Sequence, residues 1–274
     1  MSVELPEAYI LSRQMNSELR GKQIANCELR DYQKLQRIGF INKRIADFDR
    51  LAGGRVESVV SRGNVIRVKL DNGMNLLLAP EYGGRILYHT KGSIAPKKFH
   101  FKLCFSDDTA LTVALTGMGV VQALKDNELE GSYVYRRDFL SKASSPIDEK
   151  EFTFEQFAKE LADKTMNIKA AIVGKDAVVV GLSNSAFQDV LYRAKIHPKR
   201  KASSLTESEK RALYDAVKIV VQRRIQSGGK NQFVDFYGKQ GSYTPAIGPN
   251  MKDKACPACG TKVQRLSLGG GQIL

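Results

Sequence analysis

The chain is poor in several features that mark whole classes of protein. It has four cysteines in 274 residues, and its N-terminus, Met1 to Glu7, has no basic stretch leading into an apolar one. No apolar run approaches the roughly 20 residues that a membrane helix needs. No secretory signal is therefore expected. So few cysteines without such a signal fit a reducing, cytoplasmic setting better than a disulfide framework. There is no phosphate-binding glycine loop, no nucleophile elbow, no His-Glu-x-x-His and no internal repeat, which sets aside the chemistries those patterns carry. Hydrophobic residues make up 42% and charged residues 26%. That balance excludes disorder and low-complexity architectures. The length suits one large domain or two ordinary ones, and such a chain buries roughly 70–75% of its unfolded surface without help from a metal.

Acid is also scarce. Lys and Arg number 43 against 29 Asp and Glu, giving a formal charge of +14 and a pI near 9.6. From Lys195 to Lys254 there are 13 basic and 5 acidic residues, and with Lys262 and Arg265 the last 80 residues hold +10 of the +14. A surface of this sign attracts polyanions, and a nucleic-acid backbone is the partner it suits best.

Patterning along the chain predicts an α+β protein. Ala8, Leu11, Met15 and Leu19 recur at helical spacing, so a helix is expected from Leu5 to about Leu19. From Arg55 to about Leu124 short β-branched runs alternate with turn residues. Gly63 and Asp71-Asn72-Gly73 mark hairpins, and Phe99–Phe105 is expected to partner Leu111–Leu115. This meander implies a sandwich or small barrel over residues 1–140. Residues 141–152 are polar and read as a linker. A helical region is expected over 153–229. Capping boxes begin at Thr153 and Thr206, one helix covers Ile168–Val173, another follows Asn184, and Gly228-Gly229 provides a stop. Residues 230–274 have no long periodic element.

Three motifs invite chemistry. Cys256-x-x-Cys259 before Gly260 is half of a tetrahedral zinc knuckle. The second cysteine pair expected about 15–20 residues later is absent from the sequence, so a bound zinc, a metal-free hairpin of the same shape and a degenerate finger all remain open. Asn184 stands before a helix with Arg193, Lys195, Lys199 and Arg200 just downstream, which reads as a plain cap or as a phosphate grip. Glu4 and Glu7 flank Pro6, where acidic residues serve as dipole partners or as acids. His100 and His197 have no partners at triad or metal spacing.

Together these pieces resemble the formamidopyrimidine-DNA glycosylase and endonuclease VIII family. The resemblance is carried by Val3-Glu4-Leu5-Pro6-Glu7, Ser61-Arg62-Gly63-Asn64, Gly181-Leu-Ser-Asn184 through Asp189, Ala194-Lys-Ile-His-Pro198 with Ala202-Ser-Ser-Leu205, Gly228-Gly229, and Cys256-Pro-Ala-Cys-Gly260, in the family's order. It implies a β-sandwich lobe with flanking helices, a helix–two-turn–helix lobe with a zinc-finger-like hairpin, and double-stranded DNA with a damaged base or abasic site as partner. It also implies a monomer that works at the bacterial nucleoid without a membrane. The family's activity is excision of oxidised bases followed by lyase cleavage at the abasic site. An N-terminal amine, usually of proline, forms a Schiff base with C1′, and the next glutamate moves protons.

Here Val3 holds the nucleophile's place and Ser2 precedes it, so the amine of either is the candidate. Glu4 matches the acid and Glu7 supports it. Asn64, beside Arg62, replaces a hairpin lysine that contacts phosphate. Ala114 to Gly119 replaces an Arg and Phe wedge, and Glu81-Tyr82 its Met-bearing member, leaving Tyr82 to stack. Gly271 stands near the finger arginine. Asn184 matches a phosphate-binding asparagine. These departures also fit a second expectation, a non-catalytic or glycosylase-only binder of damaged DNA. An RNA-binding module is a third.

Overall fold

The computed structural model describes residues 3–37, 41–80, 83–117, 119–248, 251–268 and 271–273. The chain forms two compact units, Met1–Leu140 with Ser227–Ser242, and Ser141–Gln226 with Tyr243–Leu274.

In the first unit, α1 (Leu5–Leu19) opens on a reciprocal capping box in which the Glu4 side chain accepts from the Glu7 N–H and the Glu7 side chain from the Glu4 N–H, with Pro6 in the first turn. Proline is tolerated there because its missing N–H would have no helical partner anyway. Next come β1 (Ile24–Leu29) and α2 (Tyr32–Arg37), then β2 (Val56–Arg62), β3 (Val65–Leu70), β4 (Met74–Ala79) and β5 (Arg85–His89). The unit continues with β6 (Phe101–Phe105), β7 (Ala110–Ala114), β8 (Val120–Lys125) and α3 (Tyr133–Asp138). The strands form two antiparallel four-stranded sheets, ordered β1-β6-β7-β5 and β2-β3-β4-β8. The β2–β3 pair closes through Gly63 at φ 58, and the β3–β4 turn ends on Gly73 at φ 75. Both are left-handed positions that glycine occupies without a Cβ penalty.

The apolar periodicities have separate destinations. Leu11, Met15 and Leu19 of α1 share one core with Ile66, Val68, Leu76, Phe101, Leu103 and Phe48. On β4, Met74, Leu76 and Leu78 enter that core, while Leu77 and Ala79 point to a second cluster with Val65, Val120, Leu129 and Val134. This period of two explains why all six β4 residues are buried, since both faces of the strand are covered.

The second unit contains α4 (Phe154–Ala162), α5 (Ile168–Val173), α6 (Asn184–Ala194), α7 (Glu207–Gln226) and a hairpin of β9 (Leu266–Leu268) and β10 (Gly271–Ile273). Its core includes Phe187, Val190, Leu191, Leu213, Val217 and Val220. Thr206 and Glu209 complete a capping box, with the Thr206 N–H donating to Glu209 at 2.8 Å and the Glu209 N–H to the Thr206 hydroxyl at 3.2 Å. The Thr153 box is half made: Thr153 accepts from the Gln156 N–H, while the Gln156 side chain turns to Glu160. Residues 141–152, expected as a linker, carry a bridge from Ser144 to Val179 and the buried Phe152, and they count with the second unit. Residues 227–242 count with the first. Among the described residues no helix is long and apolar enough to cross a membrane.

Phe101 is fully buried and its ring lies 5.6 Å from that of Phe48. Phe101→Ala is expected to lower unfolding free energy in urea by about 3–5 kcal/mol. Ile94→Ala, at a side chain 96% exposed, should stay within about 0.5 kcal/mol of wild type.

Candidate functional site

The N-terminal motif folds into a buried charge cluster. Glu4 is 1% exposed and Glu7 is fully buried. Within the capping box one Glu7 oxygen, Oε2, accepts from the Glu4 N–H at 3.2 Å. The other, Oε1, accepts from the backbone N–H of Lys230 at 3.2 Å. The Lys230 Nζ lies 3.8 Å from Glu4 Oε2 and 4.0 Å from Glu7 Oε2, and its side chain is 6% exposed. Buried carboxylates are costly unless hydrogen-bonded and charge-compensated, and the segment after α7 supplies both.

That segment is fixed against α1 by side chains spaced along the helix. Gln14 donates to Asp235 at 2.8 Å and accepts from the Phe236 N–H at 3.0 Å, and Tyr237 donates to Glu18 at 3.3 Å. Gly229 has φ 94, and a Cβ there would meet the Phe233 ring at 2.4 Å. A Cβ on Gly241 would meet the carbonyl oxygens of Gly229 and Lys230, each at 2.5 Å.

Val3, 4% exposed, lines a cavity of about 120 Å³ with Gly83, Gly84, Arg85, Lys230 and Phe233 among its walls. The structure therefore brings Val3, Glu4 and Glu7 together and adds Lys230, which the sequence did not single out. Ser2 and Tyr82 lie outside the described residues.

At the β2–β3 turn, the Arg62 Nε donates to the carbonyl of Asp138 at 3.0 Å and the Asn64 N–H to the Asp138 carboxylate at 2.9 Å. Arg137 of α3 pairs with Asp138 at 2.6 Å and also donates to the Asn64 side-chain oxygen. A guanidinium thus stands against the neutral Asn64.

In the second unit, Asn184 is the first residue of α6 and Ser183 is the N-cap, which corrects the expectation that Asn184 caps the helix. Helix assignments shift by one residue at their ends, and Asn184 still sits at the positive end of the helix dipole. Lys195 ends α6 in a left-handed conformation at φ 55, and Lys195 and Lys199 are exposed. Arg200 is committed to Glu209 at 3.0 and 3.1 Å. Arg193 lies 3.4 Å from the buried Asp189. Asp189 also accepts from the Tyr243 hydroxyl, and from the Ala246 N–H at 3.0 Å. Burial first, and then that hydrogen bond, push the Tyr243 phenol up to about 12.

Cys256 and Cys259 share a turn closed by bonds from the Gly260 N–H to the Cys256 carbonyl and from the Cys256 N–H to Thr261, both 2.8 Å. The N–H groups of Ala258 and Cys259 lower the Cys256 thiol's pKa, which favours the metal-binding thiolate. Two thiols are half of a zinc site. Among the described residues no group of three or more His, Cys, Asp or Glu is gathered to complete it, so no step of the chemistry is assigned to zinc.

Residues 3–116 match the family described as formamidopyrimidine-DNA glycosylase N-terminal domain. Residues 143–234 match the formamidopyrimidine-DNA glycosylase H2TH domain. The chain is 27% identical over 272 residues to the formamidopyrimidine-DNA glycosylase of Pelotomaculum thermopropionicum, covering 97% of this chain and 95% of that protein. It is 26% identical over 275 residues to that of Bacillus subtilis, with the same coverage. Its fold is similar to that of Lactococcus lactis Fpg solved with N7-benzyl-Fapy-dG DNA, at 21% identity and a TM-score of 0.83, covering 98% of this chain and 96% of that one. The same values hold for the Lactococcus lactis Fpg complex with abasic-site DNA.

Asp189→Ala strands the Tyr243 hydroxyl and the Arg193 charge, and is expected to cost about 3–5 kcal/mol in urea unfolding. A raised phenol pKa favours the protonated form in the fold, so its contribution is fully present below pH about 10 and is lost as pH rises through about 12. Tyr243→Phe should therefore lose less stability than wild type between those values.

Proposed function

This chain belongs to the formamidopyrimidine-DNA glycosylase family, and we propose that it is a base-excision-repair DNA glycosylase with lyase activity at abasic sites. Its substrate on this reading is double-stranded DNA with an oxidised base. The observation that carries the reading is the Glu4–Glu7 pair, buried, reciprocally capped and beside Val3 at a cavity wall. A base must leave the stack for its glycosidic bond to be reached. A free N-terminal amine, that of Ser2 once Met1 is removed or of Val3 once both are removed, then attacks C1′, the base departs, and the amine nitrogen and C1′ become an imine as the C1′–O4′ bond opens. Glu4 gives and takes the protons of ring opening and base loss. Loss of the C2′ proton expels the 3′ phosphate, and water hydrolyses the imine to restore the amine. Glu7, with both oxygens engaged by backbone N–H groups, holds the helix start in place.

Asn184 at the α6 N-terminus and the exposed Lys195 and Lys199 are the phosphate contacts of the second unit on this reading. Arg62 and Asn64 serve at the first unit's hairpin. Arg193 and Arg200 contribute charge from positions already committed to Asp189 and Glu209. Cys256 and Cys259 offer one thiolate pair for a finger. In a bacterial cell such a protein works at the nucleoid, as a monomer. A second reading, a binder of damaged DNA without lyase activity, is favoured by the neutral Asn64.

On a duplex with one abasic site, Glu4→Gln is expected to keep binding and to lose strand scission by about 10²-fold or more. Full scission by that variant would sink the assignment. Asn184→Ala should weaken duplex binding across all sequences, read by fluorescence anisotropy at fixed salt.

A further inference from the structure

Lys230 is built into the carboxylate cluster. Its backbone N–H holds Glu7 at 3.2 Å, its ammonium lies 3.8 Å from Glu4 Oε2 and 4.0 Å from Glu7 Oε2, and its side chain lines the cavity that Val3 faces. The backbone that delivers it is constrained at both ends of its loop, because any side chain on Gly229 or Gly241 would strike the Phe233 ring or the backbone of residues 229–230. The Gln14 and Glu18 contacts then hold the same loop against α1.

The charges require compensation. Two carboxylates buried within one capping box need hydrogen bonds and an opposite charge nearby. Both Glu7 oxygens are engaged by backbone N–H groups. Glu4 holds the cap through its carboxylate, with Oε2 toward Lys230. An ammonium at this point, 3.8 Å from Oε2, orients the Glu4 carboxylate next to the nucleophile's position.

We propose that Lys230 is a positioning residue for the proton-transfer chemistry of Glu4, acting through charge and not through packing alone. This rests on the glycosylase–lyase reading of the site. Lys230→Met keeps the length and apolar stem but removes the charge, Lys230→Arg keeps the charge, and Lys230→Gln serves as a neutral variant where Lys230→Met does not fold.

The test uses the full chain and a duplex with one abasic site, measuring single-turnover strand scission, duplex affinity and the thermal midpoint of each variant. Lys230→Met is expected to slow scission by about 10²-fold while duplex affinity stays within about threefold, and Lys230→Arg to recover at least about tenfold of that loss. Scission by Lys230→Met or Lys230→Gln at the wild-type rate would overturn the proposal and leave the lyase reading standing. Lys230→Arg as slow as Lys230→Met, with both melting lower, would overturn it in favour of a purely structural lysine. Wild-type protein that binds the duplex and leaves it uncut would remove the lyase reading, and this proposal with it.

Discussion

Two carboxylates buried within the first turn of one helix are a constraint that the rest of the first unit serves. Left alone, each would carry a desolvation penalty of several kcal/mol. The capping box turns part of that cost into helix initiation, because Glu4 and Glu7 satisfy N–H groups that no helical carbonyl can reach. The remainder is met by a segment more than 200 residues away in sequence, whose N–H reaches Glu7 Oε1 and whose ammonium lies near Glu4 Oε2 and Glu7 Oε2. This accounts for residues 227–242 belonging with residues 1–140 and not with the helices they follow.

What was legible in the sequence followed from local rules. The α1 helix, the β2–β3–β4 hairpins, the Phe101–Val113 pairing and the boundaries of α5 and α7 all rest on periodicity, turn glycines or caps, and the structure has them. Strands β1 and β5 gave no such signal. Cys27 and Glu28 interrupt β1 with polar character, and Arg85 and His89 do so at the ends of β5. Both strands exist because they lie at the two edges of a sheet whose centre is apolar.

The site was half legible for the same reason. Val3, Glu4 and Glu7 are a contiguous motif, so the sequence presented them together. Lys230 was invisible because its partners are fixed by tertiary structure, and the adjacent Gly228-Gly229 registered only as a helix stop. The hairpin repeats this lesson. Asn64 looked like a lost charge, yet Arg137 rests against its side-chain oxygen from a helix more than 70 residues onward. The pair Arg137–Asp138 partly neutralises itself, so the guanidinium steadies the turn as much as it adds to the basic surface. Asn184 moved by one residue for a smaller reason, since Ser183 is the residue that adopts extended backbone before the helix.

The split of the first unit bears on how the protein is made. A ribosome delivers Glu4 and Glu7 almost at once, but Lys230 follows 223 residues after Glu7. At roughly 5–20 residues per second that is a lag of about 11–45 s. During that interval the sheets can form from residues already synthesised, while the carboxylates at the head of α1 wait for their counter-charge. The residues of both sheets are therefore synthesised before the charge cluster can be completed, and the α1 surface that binds residues 235–237 stays uncovered until they have emerged.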